Sequence, residues 1–312
     1  MEFNELNLAE MDKDLTAEER AEWQAIYASY RSGSVMRGEA AGVDYHEFEF
    51  VPEGKKRAVK QKLRCMIIIS YRIKVIIPET EMFLISVPEG GYVLHSMCGA
   101  KLDYVITYVD RENNFAVASR KLALEKMQKA SNRRNILDRI IDADVVSVGR
   151  NVCLLNYGGY DVLLRQRDIN YTMVSDIREI VHTGEVRKAK VKEFVPEEGI
   201  LKLSIKETMP HPFDGVETRH PVGSTRVATV VGKYGGGVFC RLSDNATDVL
   251  CSYDTMHYDG DFQLGDRVEI LIKRLNYEKK LIYLELSSQM QRYIKINFKR
   301  RFPVQAFAWT LI

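Results

Sequence analysis

Residues 99–126 read G-A-K-L-D-Y-V-I-T-Y-V-D-R-E-N-N-F-A-V-A-S-R-K-L-A-L-E-K. The β-branched and aromatic residues from Leu102 to Val109 predict a strand, and the Asp and Asn residues of 110–114 predict a tight turn. Apolar residues return from Phe115 to Ser119, and residues that favour helices follow. The stretch therefore predicts a strand, a turn, a second strand and then a helix.

The same pattern occurs twice more. It reads G-E-V-R-K-A-K-V-K-E-F-V-P-E-E-G-I-L-K-L-S-I-K from Gly184 and G-D-R-V-E-I-L-I-K-R-L-N-Y-E-K-K-L-I-Y-L-E-L-S from Gly265. Each copy opens on glycine and a polar or small residue, alternates through a strand, turns, and reaches a serine. The copies start roughly 80 residues apart, which is too long for the repeat of a solenoid and indicates repeated domains.

The chain has 312 residues, enough for two or three small domains, and the three copies favour three. Its 45 basic and 43 acidic residues nearly balance, so net charge alone does not indicate a nucleic acid partner. The charge is uneven, because residues 1–33 carry 3 basic and 8 acidic residues whereas residues 289–312 carry 5 basic residues and no acidic one. The two ends therefore have opposite signs.

The five cysteines are scattered and no pair has C-x-x-C spacing, which predicts reduced thiols in the core of an intracellular protein. His211 and His220 lack the further ligands that a metal site requires. The N-terminus is acidic where a signal peptide is basic, and no apolar run approaches the ~20 residues of a membrane span. We expect a cytoplasmic protein without a metal, a cofactor or a membrane partner.

We predict three related repeats preceded by a helix. The predicted segments are an acidic N-terminal helical segment at 1–33, a divergent first repeat at 34–121, a helical connector at 122–139, a second repeat at 140–206, a linker at 207–221, a third repeat at 222–288 and a basic, aromatic tail at 289–312.

Three local patterns supplement this plan. Thr16 and Glu19 have the spacing of a capping box, and the helix that it predicts carries apolar residues for packing against the first repeat or a partner. The basic residues between Lys55 and Arg64 are interpreted equally well as a phosphate contact or a solvated loop. The tail alternates like a strand, and its pattern leaves open an RNA-binding extension or a poorly ordered terminus.

Several motifs resemble the S-one RNA-binding domain, the repeat named after a bacterial small-subunit ribosomal protein. The motifs that carry the resemblance are Tyr234 to Cys240, D-V-L-C-S at 248–252 and G-D-R-V at 265–268 in the third repeat, D-V-L-L-R-Q-R-D-I at 161–169 and L-S-I-K at 203–206 in the second, and V-D-R-E-N-N at 109–114 and A-S-R-K at 118–121 in the first. The resemblance covers roughly residues 34–288. It implies a mostly β fold of three tandem five-stranded OB-fold barrels.

In the family that these motifs resemble, RNA lies across one barrel face, where bases stack on two aromatic residues and a His, an Asp and a basic residue make contacts. Carried over by position, the resemblance gives the third repeat the following candidates: Phe239 and Tyr234 as stacking platforms, Lys233 and Arg241 beside them, Cys251 in place of the His, Asn276 in place of the Asp, and Lys280 as the basic residue. The alternative is that Phe239 is a core residue and Tyr234 a surface turn residue.

The second repeat departs from the pattern of the family. Val152 stands at the aromatic position, Arg165 at that of the His and Pro196 at that of the Asp. Its RNA-binding candidates are therefore the basic residues Arg165, Arg167 and Lys206.

In the first repeat, Met66 and Ile67 stand where aromatic residues are expected, although Asp110 and Arg111 remain at the turn. We therefore expect RNA stacking to concentrate in the third repeat.

An enzyme is not expected. The sequence has no G-x-S-x-G, no H-E-x-x-H and no Walker lysine loop, and the glycines of 232–237 are not followed by G-K-S or G-K-T. The predicted function is non-catalytic binding of single-stranded RNA, such as mRNA, in translation and on the small ribosomal subunit, with no small-molecule substrate. The alternative is a protein-interaction scaffold that docks on the ribosome or an RNA-processing complex and binds RNA weakly.

Overall fold

The computed structural model describes residues 15–50, 59–70, 73–84, 92–172, 174, 176–244, 248–252, 262–278 and 280–286. The tail at 289–312 and the first residues of the basic cluster, 55–58, lie outside the described residues. Among the helices in these ranges, none has both the length and the apolar character needed to span a membrane.

Strands dominate the described chain. The fifteen strands are β1 Met36–Phe50, β2 Val59–Ser70, β3 Ile73–Pro78, β4 Lys101–Asp110, β5 Phe115–Ser119, β6 Ile140–Val148, β7 Val152–Tyr157, β8 Tyr160–Arg165, β9 Val186–Val195, β10 Ile200–Ser204, β11 Thr225–Tyr234, β12 Gly237–Leu242, β13 Asp248–Ser252, β14 Arg267–Asn276 and β15 Leu281–Leu286. The α-helices are α1 Ala17–Ser32, α2 Tyr92–Ser96, α3 Arg120–Ser131, α4 Gln166–Ile169 and α5 Val216–Arg219. Short 3₁₀ helices occupy Glu79–Glu81, Ile177–Glu179, Pro196–Glu198 and Lys206–Thr208.

The strands form three five-stranded sheets, which we call the first, second and third sheets in chain order. The first is a closed barrel with the order β1-β2-β3-β5-β4. The second and third have the orders β10-β9-β6-β7-β8 and β13-β12-β11-β14-β15. This is the strand order of the first sheet without the pairing of its third strand with its fifth, so that these two strands form the edges of the sheet. The predicted mostly β fold is confirmed. Three complete barrels, and the domain boundaries given above, stay predictions.

One glycine turn recurs before the fourth strand of every sheet. Gly99, Gly184 and Gly265 open the three sequence copies and have φ angles of 85°, 87° and 89°, a left-handed conformation that favours glycine. Each glycine N–H donates to a carbonyl of the first strand at 2.8 Å, and the carbonyl of the following residue accepts from the N–H of that same strand residue. The first-strand partners are Ala40, Val145 and Val230. The glycine therefore fixes where the fourth strand joins the first.

A β-bulge in the first strand follows each of these contacts. The register between the first two strands of each sheet shifts between Ala40 and Gly42, between Val145 and Ser147, and between Val230 and Gly232. The bulges give the three sheets a common register, because the residue after each bulge lies opposite one defined residue of the second strand. Those second-strand residues are Ile67, Leu154 and Phe239.

The hairpins between the fourth and fifth strands have the same geometry in the three sheets. Each has a four-residue loop, and the last loop residue has a positive φ angle: Asn114 at 53°, Gly199 at 69° and Lys280 at 50°. The register makes Asp110, Val195 and Asn276 equivalent as the last residues of the fourth strands. The alignment to the family motif in the sequence analysis placed Pro196 at this position, which is one residue too late in the chain.

Helix α1 packs on the first sheet. The predicted capping box is confirmed, since the Thr16 side chain accepts from the Glu19 N–H at 3.2 Å and Glu19 accepts from the Thr16 N–H at 3.0 Å. Trp23 and Ile26 are buried in the core of the first sheet, and the Arg111 guanidinium lies 4.2 Å from the Trp23 ring centroid. Of the two roles predicted for this helix, the structure shows packing against the first repeat.

Helix α3 follows β5 and covers Arg120–Ser131, so it is shorter than the predicted connector at 122–139. The Ser119 side chain caps it by accepting from the Leu122 N–H at 3.2 Å. Ala123 and Leu124 are buried, whereas residues 132–139 form turns. The helix lies between the first and second sheets and contacts both.

A buried ion pair joins α3 to the second sheet. Arg120, whose side chain is 1% exposed, donates to both carboxylate oxygens of Asp161 at 2.6 and 2.7 Å and to the Met82 carbonyl at 2.9 Å. Asn156 donates to the same carboxylate at 2.7 Å. Paired oxygen acceptors in this geometry offset the cost of burying a guanidinium.

Glycines of the second sheet lie very close to helix α3 and to the turn before β4. A Cβ atom on Gly159 would lie 2.3 Å from the Leu124 carbonyl oxygen, and one on Gly184 would lie 2.3 Å from the Gly99 carbonyl oxygen. Val146, the bulged residue of β6, is buried in the core cluster of the first sheet, and Leu154 packs against that cluster. The two sheets therefore share one packed interface.

Two compact units result. One comprises Met1–Ile169 with Ser175–Thr208 and contains the first and second sheets; we call it the N-terminal unit. The other comprises Asn170–Val174 with Met209–Ile312 and contains the third sheet; we call it the C-terminal unit. Within the latter, Phe213, Val216 and His220, from the segment predicted as a linker, are buried, and the first two belong to the core of the third sheet.

The cysteines are free thiols, as predicted, and four of the five are buried. Burial raises the pKa of Cys153 to about 12 and that of Cys65 to about 11. These two thiols therefore stay protonated at neutral pH, and they pack as small apolar side chains.

Replacing Asp161 tests the buried ion pair. Asp161→Asn keeps the shape but leaves the Arg120 charge uncompensated, so we expect the N-terminal unit to lose about 3 kcal/mol of stability. Hydrogen exchange of the β6 to β8 amides should accelerate roughly 100-fold. The control is Glu193→Gln at the exposed ion pair with Lys202, which should cost less than about 1 kcal/mol. Equal effects of both substitutions would contradict the assigned role.

Asp103 gives a prediction for pH dependence. Burial raises the pKa of Asp103, although Arg37 opposes this effect. A carboxyl whose pKa is higher in the folded than in the unfolded state loses stability as pH rises above the unfolded value of about 3.9. Asp103→Asn should therefore increase the stability of the N-terminal unit at pH 7, by an amount that shrinks towards pH 4.

Urea denaturation at several pH values measures this difference. The matched control is Glu112→Gln, at an exposed carboxyl. Parallel stability curves for wild type and Asp103→Asn across that pH range would show that the carboxyl is not perturbed by folding.

Candidate nucleic-acid interface

The outer face of the third sheet carries the predicted stacking residue. On β12, Val238, Cys240 and Leu242 point into the core and are at most 1% exposed, whereas Phe239 and Arg241 alternate with them and are partly exposed. Successive side chains of a strand lie on opposite faces, so Phe239 and Arg241 share the outer face. The alternative that Phe239 is a core residue is wrong.

Phe239 lies between a glycine and a leucine in the sheet register. The register places Gly232 of β11 on one side and Leu250 of β13 on the other. Gly232 has no side chain, and Leu250 is 43% exposed.

A row of polar residues crosses the same face. Thr229 of β11 pairs with Arg241 on β12 and with Arg267 on β14, so the two arginines flank the threonine. Strands lie about 4.8 Å apart, which sets the two arginine backbones about 10 Å apart. Arg267 is exposed and was not predicted from the sequence. The alternation of side chains along β14 could have predicted its outward position, because Arg267 directly precedes the buried Val268.

The outer face of the third sheet is thus defined by Phe239, Leu250, Thr229, Arg241 and Arg267. It combines an aromatic ring, an apolar side chain, a hydroxyl and two guanidinium groups. Guanidinium groups bind phosphate oxygens, and aromatic rings stack on bases with little demand on sequence. The face has the chemical groups that single-stranded RNA requires.

Two further candidates lie at the end of β11. Lys233 is exposed and pairs in register with Val238, next to Phe239 on β12. The Tyr234 backbone pairs with Gly237, and the Tyr234 side chain lies outside the described structure. The second platform therefore stays a prediction.

The structure contradicts the prediction that Cys251 contacts RNA. Its side chain is 1% exposed and belongs to the core cluster of the third sheet, because it has the same parity as buried Val249 on β13. A residue on the inner face cannot contact a ligand on the outer face. The outward residue beside it in the register is Leu250, opposite Phe239.

Asn276 and Lys280 lie at the hairpin between β14 and β15. Asn276 is the last residue of β14 and pairs with Leu281, whereas β14 pairs with β11 only from Arg267 to Leu271. The strand ladder therefore does not place Asn276 or Lys280 in the row that holds Phe239. Their contact with RNA stays a prediction.

Tyr277 anchors this loop. Its hydroxyl donates to Glu217 Oε2 at 2.6 Å, and its ring meets that of Phe213 edge-on with centroids 5.6 Å apart. The hydrogen bond to Glu217 raises the pKa of Tyr277. Helix α5 and the residues before it thus hold the loop in place.

In the second sheet the candidate cations are spread over three elements. Arg165 is exposed at the end of β8, Arg167 lies in α4 with its Nε 3.7 Å from the Asp168 carboxylate, and Lys206 is partly buried in a 3₁₀ helix. Arg165 pairs with Val152. The strand register does not gather the three residues into one row.

The shared register corrects the equivalence drawn from the sequence. The counterpart of Phe239 in the second sheet is Leu154 rather than Val152, and in the first sheet it is Ile67. Leu154 packs against the core of the first sheet, and Ile67 is 6% exposed within a separate apolar cluster. Among these three positions, only that of the third sheet holds an aromatic residue.

Comparisons with known proteins agree with the resemblance noted in the sequence. No family model matches the chain. It is 25% identical to the small ribosomal subunit protein bS1 of Staphylococcus epidermidis over 205 residues, covering 62% of this chain and 52% of the relative. It is 23% identical to bS1 of Neisseria meningitidis over 197 residues, covering 60% and 35%. The predicted relationship to this ribosomal protein is confirmed.

A third curated relative carries the name of an enzyme. The chain is 23% identical to the 4-hydroxy-3-methylbut-2-enyl diphosphate reductase of Clostridium tetani over 256 residues, covering 78% of this chain and 40% of the reductase. The chain thus spans about half or less of the length of the three curated relatives.

Among solved structures, the chain is similar to a multidomain protein with nucleic acid binding domains from Streptococcus pneumoniae. The match covers 85% of this chain and 81% of that protein, at 8% identity and with a TM-score of 0.19. A TM-score this low carries no argument about fold or function.

A substitution at Lys280 tests the contribution of its charge to RNA binding separately from the effect of its left-handed backbone conformation on stability. Lys280→Asn introduces the residue found at the equivalent turn position of the first sheet, where a left-handed conformation is favourable. We expect stability to stay equal or rise by up to about 1 kcal/mol, and RNA affinity to fall because a cation is lost. Thermal denaturation and RNA titration measure the two effects. Lys280→Arg is the charge control, and unchanged affinity in Lys280→Asn would remove this residue from the interface.

Proposed function

We propose that this protein binds single-stranded RNA without catalysis, through the outer face of the third sheet. The observation that carries the proposal is the partly exposed Phe239, which pairs with Gly232 and lies two residues before Arg241 on β12. Arg241 begins the row that continues through Thr229 to Arg267. A base stacks on the ring while the arginines neutralise adjacent phosphates.

The relatives extend the proposal to translation. Small ribosomal subunit protein bS1 is, by its name, a component of the small ribosomal subunit. We propose that this chain acts in the cytoplasm on mRNA in the same setting, with three OB-type repeats at 34–121, 140–206 and 222–288. The N-terminal unit, where Ile67 and Leu154 replace the aromatic ring, takes a docking role in this arrangement.

The lack of an aromatic residue at those two positions favours a second candidate function, a protein-interaction scaffold on the ribosome or an RNA-processing complex. In this case the C-terminal unit contributes little RNA affinity. The two functions differ in salt dependence, because each phosphate that a protein neutralises on a single strand adds about −0.7 to the slope of log affinity against log salt.

The test is fluorescence anisotropy of a short unstructured RNA with the full chain across a salt series. Phe239→Ala should cost about 1 to 3 kcal/mol for one lost stacking contact, which is roughly a 5- to 150-fold loss of affinity, and Phe239→Trp should restore binding. Arg241→Ala combined with Arg267→Ala should reduce the salt slope by about 1.4.

The matched control for stacking is Leu163→Ala, at an exposed apolar residue on the outer face of the second sheet. It should leave affinity unchanged. Binding that is indifferent to both Phe239→Ala and the arginine pair would exclude the third sheet. Salt-resistant association with the small ribosomal subunit would then favour the scaffold.

A further inference from the structure

A cleft of about 660 Å³ opens on the second repeat, within the N-terminal unit. Its size falls in the range of sites that hold small ligands or single nucleotides. The lining residues that matter for its chemistry are Arg134, Asn135, Arg139, Ile140, Asp142 and Tyr157. None of them is among the RNA-binding residues predicted from the sequence.

Fixed elements form the walls of this cleft. Tyr157 is the last residue of β7, and the turn that follows is held by hydrogen bonds from Ser131 to the Gly158 carbonyl and from Gln128 to the Gly159 carbonyl, both 3.0 Å long. On the other side, the Val191 N–H donates to the Arg139 carbonyl at 2.9 Å. The turns at 132–139 are therefore tied to β9, and the hairpin to α3.

The cleft contains two unpaired cations. Arg134 and Arg139 are exposed, and within the described parts of the chain neither guanidinium has an ion pair or a hydrogen-bond acceptor. Asp142 is the acidic residue of the lining, and Lys188 lies opposite it on β9. The two arginines therefore give the cleft a positive potential.

The remaining wall suits a flat, partly apolar group. Tyr157 is partly exposed, and Ile140 is 59% exposed although it is a large aliphatic residue. Exposed apolar side chains beside unpaired guanidinium groups match a ligand that combines a planar ring with an anion. A nucleotide has both features, whereas an acidic peptide offers only the anion.

We propose that this cleft binds a nucleotide of single-stranded RNA, with its phosphate between Arg134 and Arg139 and its base against Tyr157. The site would give the N-terminal unit an RNA contact of its own. It does not depend on the third sheet, because every residue that forms it belongs to the N-terminal unit.

The experiment uses a fluorescent uridine tetranucleotide and the full chain carrying Phe239→Ala and Arg241→Ala, which removes the stacking ring and one of the two arginines from the outer face of the third sheet. In this background, Arg134→Ala with Arg139→Ala should weaken binding at least 10-fold. Arg133→Ala is the matched control, since Arg133 is an exposed neighbour that does not line the cleft, and it should change affinity less than 2-fold. Tyr157→Phe should bind like its parent, whereas Tyr157→Leu should lose several-fold.

Two results would overturn the cleft as a nucleotide site. One is unchanged affinity in the double arginine variant, or an equal loss in Arg133→Ala, which would indicate general attraction by basic residues. The other is displacement of the RNA by a polyglutamate peptide at the same concentration as by unlabelled tetranucleotide, which would favour an acidic peptide.

The chain carrying Phe239→Ala and Arg241→Ala distinguishes the proposal for the cleft from the proposal for the third sheet. Loss of all tetranucleotide binding in Phe239→Ala with Arg241→Ala would overturn the cleft and leave the third sheet as the RNA site. Binding retained in that background and lost in the cleft variant would support the cleft, whatever the third sheet does.

Discussion

The left-handed glycine before each fourth strand is the constraint on which the rest of this structure depends. Gly99, Gly184 and Gly265 each exchange two backbone hydrogen bonds with one residue of the first strand, at the position where that strand bulges. A bulge changes the face to which the following side chains point. The glycine contact therefore decides that Ile67, Leu154 and Phe239 are equivalent, and that Phe239 points outward. Any L-residue at the glycine would strain this turn.

The same framework serves two different purposes along the chain. In the N-terminal unit, the glycine of the second copy also lies against Gly99, and α3 lies between the sheets with Arg120 bound to Asp161. A buried ion pair adds little net stability, but breaking it is costly because a lone charge is left in the interior. It fixes one arrangement of the two sheets. Leu154 is partly buried against the core of the first sheet, whereas Leu163, its partner on the same outer face, is 60% exposed.

In the C-terminal unit the equivalent strand keeps its outer residues accessible. Within the described residues of this unit, Gly265 has open space around it, Phe239 is partly exposed and Leu250 is 43% exposed. The aromatic ring and the arginine row therefore remain on a surface. Three sheets of one strand order thus divide into a packed pair, in which Ile67 and Leu154 lie in or against apolar clusters, and a third sheet whose outer face carries Phe239 and two arginines. The basic cleft at Arg134 and Arg139 shows that the packed pair retains cationic surface elsewhere.

The sequence by itself determined the strands, the repeated hairpins, the capped helix and the equivalence of the three copies. These features are local, because alternation, turn residues and caps act over a few neighbouring positions. It also proposed Phe239 and Arg241 as candidates, and both lie on the outer face of the third sheet. It misplaced Val152 and Pro196 by one or two positions, since a bulge shifts the register without leaving a mark in the alternation, and it assigned Cys251 to the wrong face. Only the tertiary structure decided which outer faces are covered, that Arg120 meets Asp161, and that Arg134 and Arg139 share a cleft with Tyr157. Those outcomes depend on contacts between residues far apart in the chain, which no local pattern encodes.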